Sequence, residues 1–360
     1  MKPEQVFHIK IQGYKSIKEC DLEIKELNVL IGANGAGKSN FIGFFKFIQQ
    51  TLEGNLQRFI SKNGGPDTVL HFGRKKTEQL EAEVRFGNNG YKFVLEATVD
   101  NRMMFAEEKF LWNVDDEQLL GAGHFETEAG SQERQNLYKY TVPTILKWRV
   151  YHFHDTSESA LVKQQRPLND NLFLRSDARN LPAFLYLLQG QYPQAYDRIV
   201  KTIRLVAPFF GDFRLRKSPG SIDQIELEWS EVGEDMPFKA HHLSDGTLRF
   251  ICLAVVFLTP AEMQPETIIV DEPELGLHPY AIKILASLIR SASMEKQVII
   301  STQSVTLLNE FEPGNLIVCD RKDGSSFLRR LEKDEFTEWL KEYTLGELWE
   351  KNILGGRPAR

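Results

Sequence analysis

The chain opens on alternation. Val6-Phe7-His8-Ile9-Lys10-Ile11 places apolar side chains on every second residue and predicts a strand, and Gly13-Tyr14-Lys15-Ser16-Ile17 predicts a turn. Cys20-Asp21-Leu22-Glu23-Ile24 reads as a returning strand, and Leu27-Asn28-Val29-Leu30-Ile31 as a third that ends on glycine. Asn40-Phe41-Ile42-Gly43-Phe44-Phe45-Lys46-Phe47-Ile48 follows as a helix. Beyond the loop residues Asn63-Gly64-Gly65-Pro66-Asp67, residues 80–86 and 91–97 alternate again, joined by the hairpin marker Gly87-Asn88-Asn89-Gly90. Residues 109–114 predict a further strand, and the polar stretch 121–135 a flexible loop. Residues 148–154 return to strand character. Residues 181–210 turn helical, with Leu181, Phe184, Leu185 and Leu188 on one face. A strand over 221–229 and an apolar helix over 248–258 come next. The β-branched runs at 267–270 and 297–300 fit central strands of a covered parallel sheet. This mixture predicts an α/β fold. No repeat is present, and no sustained heptads run from the first helix to residue 240, so a long coiled-coil arm is not expected.

Between the third strand and the first helix stands Gly32-Ala33-Asn34-Gly35-Ala36-Gly37-Lys38-Ser39, a complete G-x-x-x-x-G-K-S phosphate loop in strand–turn–helix context. Its glycines let successive backbone N–H groups face a polyphosphate, and the helix start adds its positive dipole end. Asn34, Gly35, Ala36, Gly37, Lys38, Ser39 and Asn40 are therefore the candidate residues for a nucleoside triphosphate. Lys38 reaches for the β- and γ-phosphates, and the Ser39 hydroxyl is a candidate Mg²⁺ ligand.

Roughly 230 residues further on, Ile268-Ile269-Val270-Asp271-Glu272-Pro273 is an apolar strand ending in two acids. Asp271 is the second candidate for Mg²⁺, and Glu272 the candidate general base for the attacking water. Standing alone, the run would equally read as a buried strand with solvated acids at its tip. Leu243-Ser244-Asp245-Gly246-Thr247 precedes the apolar helix, and Ser301-Thr302-Gln303-Ser304 follows the run at 297–300.

The order of these four motifs resembles an ABC-type ATPase, and more narrowly the RecF/SMC-like group of predicted AAA-family ATPases. The G-K-S-N ending at Asn40, the turn at Tyr14-Lys15-Ser16-Ile17 and the sequence Glu274-Leu275-Gly276-Leu277-His278-Pro279 add to the likeness, which spans residues 6 to about 305. It implies one P-loop ATPase head over 1–360 with a mixed core sheet, an antiparallel β lobe and a helical signature lobe. The core lobe is placed at about 1–75 and 262–360, the β-rich insertion at about 76–160 and the signature lobe at about 161–261. It also implies a two-chain site, in which Ser244, Asp245 and Gly246 of one subunit cap the γ-phosphate held by its partner. Ser-Asp-Gly is also a routine turn and helix cap.

The chain departs from that pattern twice. Gln303 stands where a histidine is usual; its amide can hydrogen-bond the γ-phosphate or the lytic water but cannot titrate. No glutamine loop is evident, and its place after the strand at 148–154 makes His154, Asp155 and Thr156 the local candidates, with Gln164 and Gln165 as alternatives. His152 and His154 alternate onto one strand face, which suits a metal pair or two structural histidines.

With 42% hydrophobic and 26% charged residues in 360, the composition is that of a globular chain, and no window approaches the roughly 20 apolar residues of a membrane span. The first residues lack an apolar signal core, and three scattered cysteines offer neither a disulfide framework nor a zinc pattern, so a reducing cytoplasm is expected. A net charge of −6 supplies no global attraction to nucleic acid. The clusters Arg74-Lys75-Lys76, Arg214-Leu215-Arg216-Lys217 and Arg329-Arg330 leave a DNA groove and solvated surface charge as alternatives.

The expected activity is ATP hydrolysis to ADP and phosphate, with ATP-driven homodimerisation acting as a clamp or switch on a partner in DNA repair or antiviral defence. A transporter subunit is the alternative, opposed by the inserted hairpin and the altered signature. So is an ATPase that regulates a separate nuclease or toxin. A fused nuclease of the overcoming-lysogenisation-defect type finds no room in the about 55 residues after Ser304.

Overall fold

A computed structural model describes residues 4–113, 115–132, 136–217, 223–332 and 334–356. Two compact units emerge, Met1–Trp148 with Gln297–Arg360, and Arg149–Lys296.

The first unit begins with β1 (Val6–Tyr14), β2 (Ile17–Glu23) and β3 (Leu27–Ile31), then α1 (Lys38–Leu52), α2 (Leu56–Lys62) and α3 (Pro66–Val69). An antiparallel meander follows: β4 (Gln79–Phe86), β5 (Asn89–Ala97), β6 (Met103–Trp112) and β7 (Asp116–Gly121), then α4 (Asn136–Leu146).

The second unit holds β8 (Arg149–Tyr151), β9 (Arg166–Pro167), α5 (Leu181–Gln191), α6 (Pro193–Val206) and β10 (Phe210–Phe213). After them come β11 (Gln224–Ile225), β12 (Glu228–Glu231), β13 (Phe238–Lys239), α7 (Asp245–Leu258), β14 (Thr267–Asp271) and α8 (Pro279–Ser293). The chain then returns to the first unit through β15 (Gln297–Thr302), α9 (Val305–Leu308), β16 (Leu316–Lys322), β17 (Ser325–Arg330) and α10 (Leu345–Glu350).

In the first unit the strands run in the order β7-β6-β5-β4-β1-β2-β17-β16-β3-β15. β3 lies between β15 and β16, parallel to both, and all five of its residues are buried. That is the covered parallel core expected from its unbroken apolar run. Toward β7 the sheet becomes antiparallel, and there its strands alternate buried and half-exposed positions.

The helix α1 carries the core. Phe47 packs on Tyr14, Phe59 and Phe93 at ring separations of 5.4, 5.2 and 6.0 Å, and Phe45 meets Trp148 edge-on at 5.4 Å. Much of the chain's phenylalanine is consumed in this way, as core rather than as a surface platform.

In the second unit β8 and β14 form a parallel pair, with Ile268, Ile269 and Val270 opposite Arg149, Val150 and Tyr151. α7 is buried along most of its length from Leu248 to Phe257, so it is an interior helix. β10, β12 and β13 form a small separate sheet around Trp229.

Several elements differ from the sequence pattern. The helical stretch expected over 181–210 is two helices and the start of a strand, because Pro193 cannot donate to Gln189 and instead begins α6. The strand expected at 109–114 starts earlier, at Met103, and Val114 lies outside the described residues. The loop expected at 121–135 is partly ordered by a 3₁₀ turn at Ala129–Gln132, and residues 133–135 lie outside the description. The strand expected at 221–229 resolves into β11 and the start of β12, with residues 221–222 also outside it.

All three cysteines are buried and unpaired. Burial pushes the Cys252 and Cys319 thiols up to about 12, and the Cys20 thiol up as well.

Phe47→Ala removes the ring at the centre of this cluster. We expect a loss of about 3–5 kcal/mol of stability, measured by urea unfolding with an unchanged m-value; a loss below about 1 kcal/mol would show that the cluster repacks around the gap.

Candidate nucleotide site

The phosphate loop fills the turn from β3 to α1. Gly35 and Gly37 have φ of 77° and 116°, in the region that favours glycine. Gly37 has a second constraint: a methyl group there would collide with Ser326 Oγ and lie 2.7 Å from Ser326 Cβ on β17. At the other end of the loop, a Cβ on Gly32 would collide with the Cys319 carbonyl of β16. The hairpin β16–β17 is thus the wall against which the loop is moulded.

Lys38 is buried at the first residue of α1, and its ammonium donates to the carbonyls of Gly32 (2.6 Å) and Ala33 (3.1 Å). These bonds hold the charge across the loop. The Lys38 charge also acts on Cys319, opposing the upward push of burial on that thiol. Asn34, Gly35 and Ser39 are exposed, while Ala36 and Gly37 are buried. Arg321 donates to the Gly35 carbonyl at 3.2 Å. The Asn40 amide donates to Ser16 Oγ at 2.6 Å, and Ser326 Oγ donates to the same Ser16 oxygen at 2.7 Å. Burial lowers the neighbouring Lys15 ammonium below its usual range. The Ala33 N–H donates to the Gly356 carbonyl at 2.6 Å, while the Gly356 N–H is held by Asp320.

Gln303 belongs to this unit. β15 runs parallel to β3 with Thr302 opposite Ile31, so Gln303 follows at the level of Gly32, where the phosphate loop starts. The backbone brings Gln303 and the loop residues together.

In the second unit, Asp271 is the last residue of β14, with its side chain largely buried. Glu272 has φ of 46°, and its carbonyl accepts from the Leu275 N–H, so the chain reverses immediately after the strand. Because β8 is registered beside β14, the segment after β8 emerges next to Asp271. The His154 Nε2–H donates to the Asp271 carbonyl at 3.2 Å, and His152 Nδ1 stands 4.0 Å from Asp271 Oδ2. The Asp155 carboxylate instead accepts from the Ser157 N–H and hydroxyl, which hold it below the usual carboxylate range. Gln164 is exposed and donates to Ser159.

Among the described residues no group of three or more His, Cys, Asp or Glu could hold a metal ion, so His152 and His154 do not gather a third ligand. A hydroxyl at Ser39 and a carboxylate at Asp271 are nonetheless hard oxygen donors. Such donors suit Mg²⁺, which takes one or two protein ligands and completes its shell with phosphate and water.

Ser244 caps α7. Its Oγ accepts from the Thr247 N–H at 3.2 Å, and both Ser244 and Asp245 are exposed. A Cβ on Gly246 would collide with the Gly276 carbonyl, so this glycine is required by packing against the loop after β14.

The sequence alone did not single out Ser326 or Arg321, and showed Ser16 only as part of a turn. Arg321 reaches Gly35 of the phosphate loop across 286 positions, and Ser326 reaches Ser16 across 310, beyond any local pattern. The guanidiniums of the basic clusters are engaged within the molecule. Arg74 binds Asp67 and Asn101, Arg216 binds Glu228, and Arg330 binds Glu23 and Asn28.

The mixed sheet, the glycine-cradled lysine and the acidic strand tip define the fold of a nucleotide-binding ATPase head. The chain belongs to the family described as "AAA domain, putative AbiEii toxin, Type IV TA system", which matches residues 27–120 and 125–309. Solved structures that share its fold include two Smc heads. One is an Smc head bound to the C-terminal winged-helix domain of ScpA, 17% identical with a TM-score of 0.60, over 91% of this chain and 98% of that one. The other is the Pyrococcus furiosus Smc head with an extended coiled coil, bound to the C-terminal domain of ScpA. It is 15% identical with a TM-score of 0.60, over 94% of this chain and 98% of that one. Among curated proteins, none matches. No helix among the described residues is long and apolar enough to cross a membrane.

Gly37→Ala combines a left-handed backbone with a collision on Ser326. We expect loss of ATP binding, read by equilibrium binding of labelled nucleotide, while the far-ultraviolet circular dichroism stays that of the parent. Wild-type affinity in Gly37→Ala would show that the contact with β17 does not shape the loop.

Proposed function

We propose that this protein is an ATPase whose two copies close around ATP and open after hydrolysis, and that this cycle switches a separate effector protein. The observation that carries the reading is the loop at 32–39, with its buried Lys38 at the start of α1 and its glycines moulded on β16–β17. In it, the peptide N–H groups and Lys38 bind the β- and γ-phosphates. Ser39 and Asp271 are the assigned ligands of Mg²⁺, which when bound neutralises charge on the phosphate oxygens. Glu272 takes the proton of the attacking water, and Gln303 orients that water or the γ-phosphate through its amide.

The exposed start of α7, with Ser244, Asp245 and Gly246, is the surface offered to the nucleotide of the second copy. Its capping hydroxyl and helix dipole suit an anion. An effector protein is favoured over a DNA groove because Arg74, Arg216 and Arg330 of the basic clusters are already bonded within the chain. The family's description names its AAA domain as a putative toxin of a type IV toxin–antitoxin system, and such a system pairs one protein's activity with a second protein that it meets.

Two variants test the cycle. Lys38→Ala abolishes ATP binding, because the phosphate oxygens lose their main point charge. Glu272→Gln keeps binding, slows turnover by about 10²–10⁴-fold and accumulates as a dimer with ATP, seen by light scattering. A Glu272→Gln protein that stays monomeric at saturating ATP, or turns over at the parental rate, contradicts both the base and the clamp.

Gln303 is tested separately. Gln303→Ala costs roughly 10- to 150-fold in turnover, the worth of one hydrogen bond to a charged group. Gln303→His recovers part of it. Because an imidazole titrates and an amide does not, that variant also gains a pH dependence between about 6 and 8 that the parent lacks. Equal rates for the parent and Gln303→Ala would make this strand end structural.

A further inference from the structure

Arg249 is a half-buried cation on an otherwise apolar helix, one turn after the signature residues. Its guanidinium reaches two other segments of the second unit. Nε–H donates to the Phe153 carbonyl at 3.0 Å, and one terminal nitrogen donates to the His154 carbonyl at 2.9 Å and to Thr156 Oγ1 at 3.4 Å. The other terminal nitrogen donates to the Leu275 carbonyl at 3.2 Å. The site is built around this fork. Gly276 has φ of 76°, and a Cβ there would lie 2.7 Å from the guanidinium. The Gly276 carbonyl in turn lies against the signature residue Gly246.

We infer that Arg249 is a positioning residue that fixes three segments as one body: the signature helix α7, the loop after β8 and the loop after β14. The inference rests on the reading of Ser244–Gly246 and Asp271–Glu272 as parts of an ATP site. His154, whose carbonyl Arg249 holds, donates through its ring to the carbonyl of Asp271. Leu275, whose carbonyl Arg249 also holds, closes the turn that begins at Glu272. Arg249 therefore ties the helix that meets the other subunit's nucleotide to the backbone on both sides of its own metal and base carboxylates.

Only arginine suits the position. Its planar donors reach carbonyls in divergent directions from one rigid group, whereas a lysine ammonium is a single compact centre. A carbonyl offers no countercharge, so these bonds fix geometry without neutralising the cation.

The test separates nucleotide capture from turnover. Arg249→Ala and Arg249→Lys are compared with the parent for ATP affinity, by equilibrium binding, and for kcat. Affinity at the phosphate loop should stay within about twofold while kcat falls about 10- to 100-fold, with Arg249→Lys recovering little despite its charge. His154→Ala, alone and combined with Arg249→Lys, completes a double-mutant cycle. If Arg249 acts through His154, the pair loses no more kcat than the worse single variant. Additive losses, a parental kcat in Arg249→Lys, or losses of affinity and kcat in equal proportion would each overturn the inference. Should Arg249→Ala fail to fold, Arg249→Lys carries the same comparison. A parent without ATPase activity, or a Glu272→Gln variant as fast as the parent, would instead remove the underlying reading.

Discussion

The structure of the nucleotide site depends on one close contact, that of the phosphate-loop glycines with the hairpin formed by β16 and β17. Gly37 meets Ser326 and Gly32 meets the Cys319 carbonyl at distances that no side chain could share. Holding Gly35 and Gly37 at positive φ, away from the ordinary α and β regions, is conformationally expensive. Here that cost is met by packing from outside the loop. The fold can therefore place β3 in the middle of a parallel core, with β15 and β16 on either side, and still present an open turn at its end.

The second unit solves a related problem by hydrogen bonding. β14 ends in Asp271, and the chain turns back through a left-handed Glu272. Such a strained tip needs support, and it comes from the segment after β8, through His154, and from α7, through Arg249. Backbone carbonyls are the acceptors in nearly all of these bonds. Apart from Glu272, His154, Thr156 and Gly276, whose own groups are used, side-chain identity in the loops at 153–156 and 272–276 is thus less constrained than backbone path.

How much of this was legible in the sequence follows from the range of each interaction. The phosphate loop is legible because its chemistry needs eight contiguous residues, and Asp271 because an apolar strand ending in acids is a local pattern. The hairpin at Gly87-Asn88 was legible for the same reason. α4 was hidden by Pro143, a residue that argues against a helix interior. The helical region at 181–210 concealed a break at Pro193 that periodicity alone passes over. β17 was illegible because its partners are remote: Ser326 pairs with Ile17 and bonds to Ser16, at the opposite end of the chain. Arg249 reads in sequence as one cation in an apolar helix, and only the folded chain supplies its acceptors.

The bond from the Ala33 N–H to the Gly356 carbonyl has a practical side. It makes the chain's last described turn a structural part of the nucleotide loop, since Gly356 also rests on Asp320 and approaches Gly32. Cutting the polypeptide before residue 356 would therefore do more than shorten it: the first peptide of the loop would lose the acceptor that holds it, and Asp320 the N–H from which it accepts.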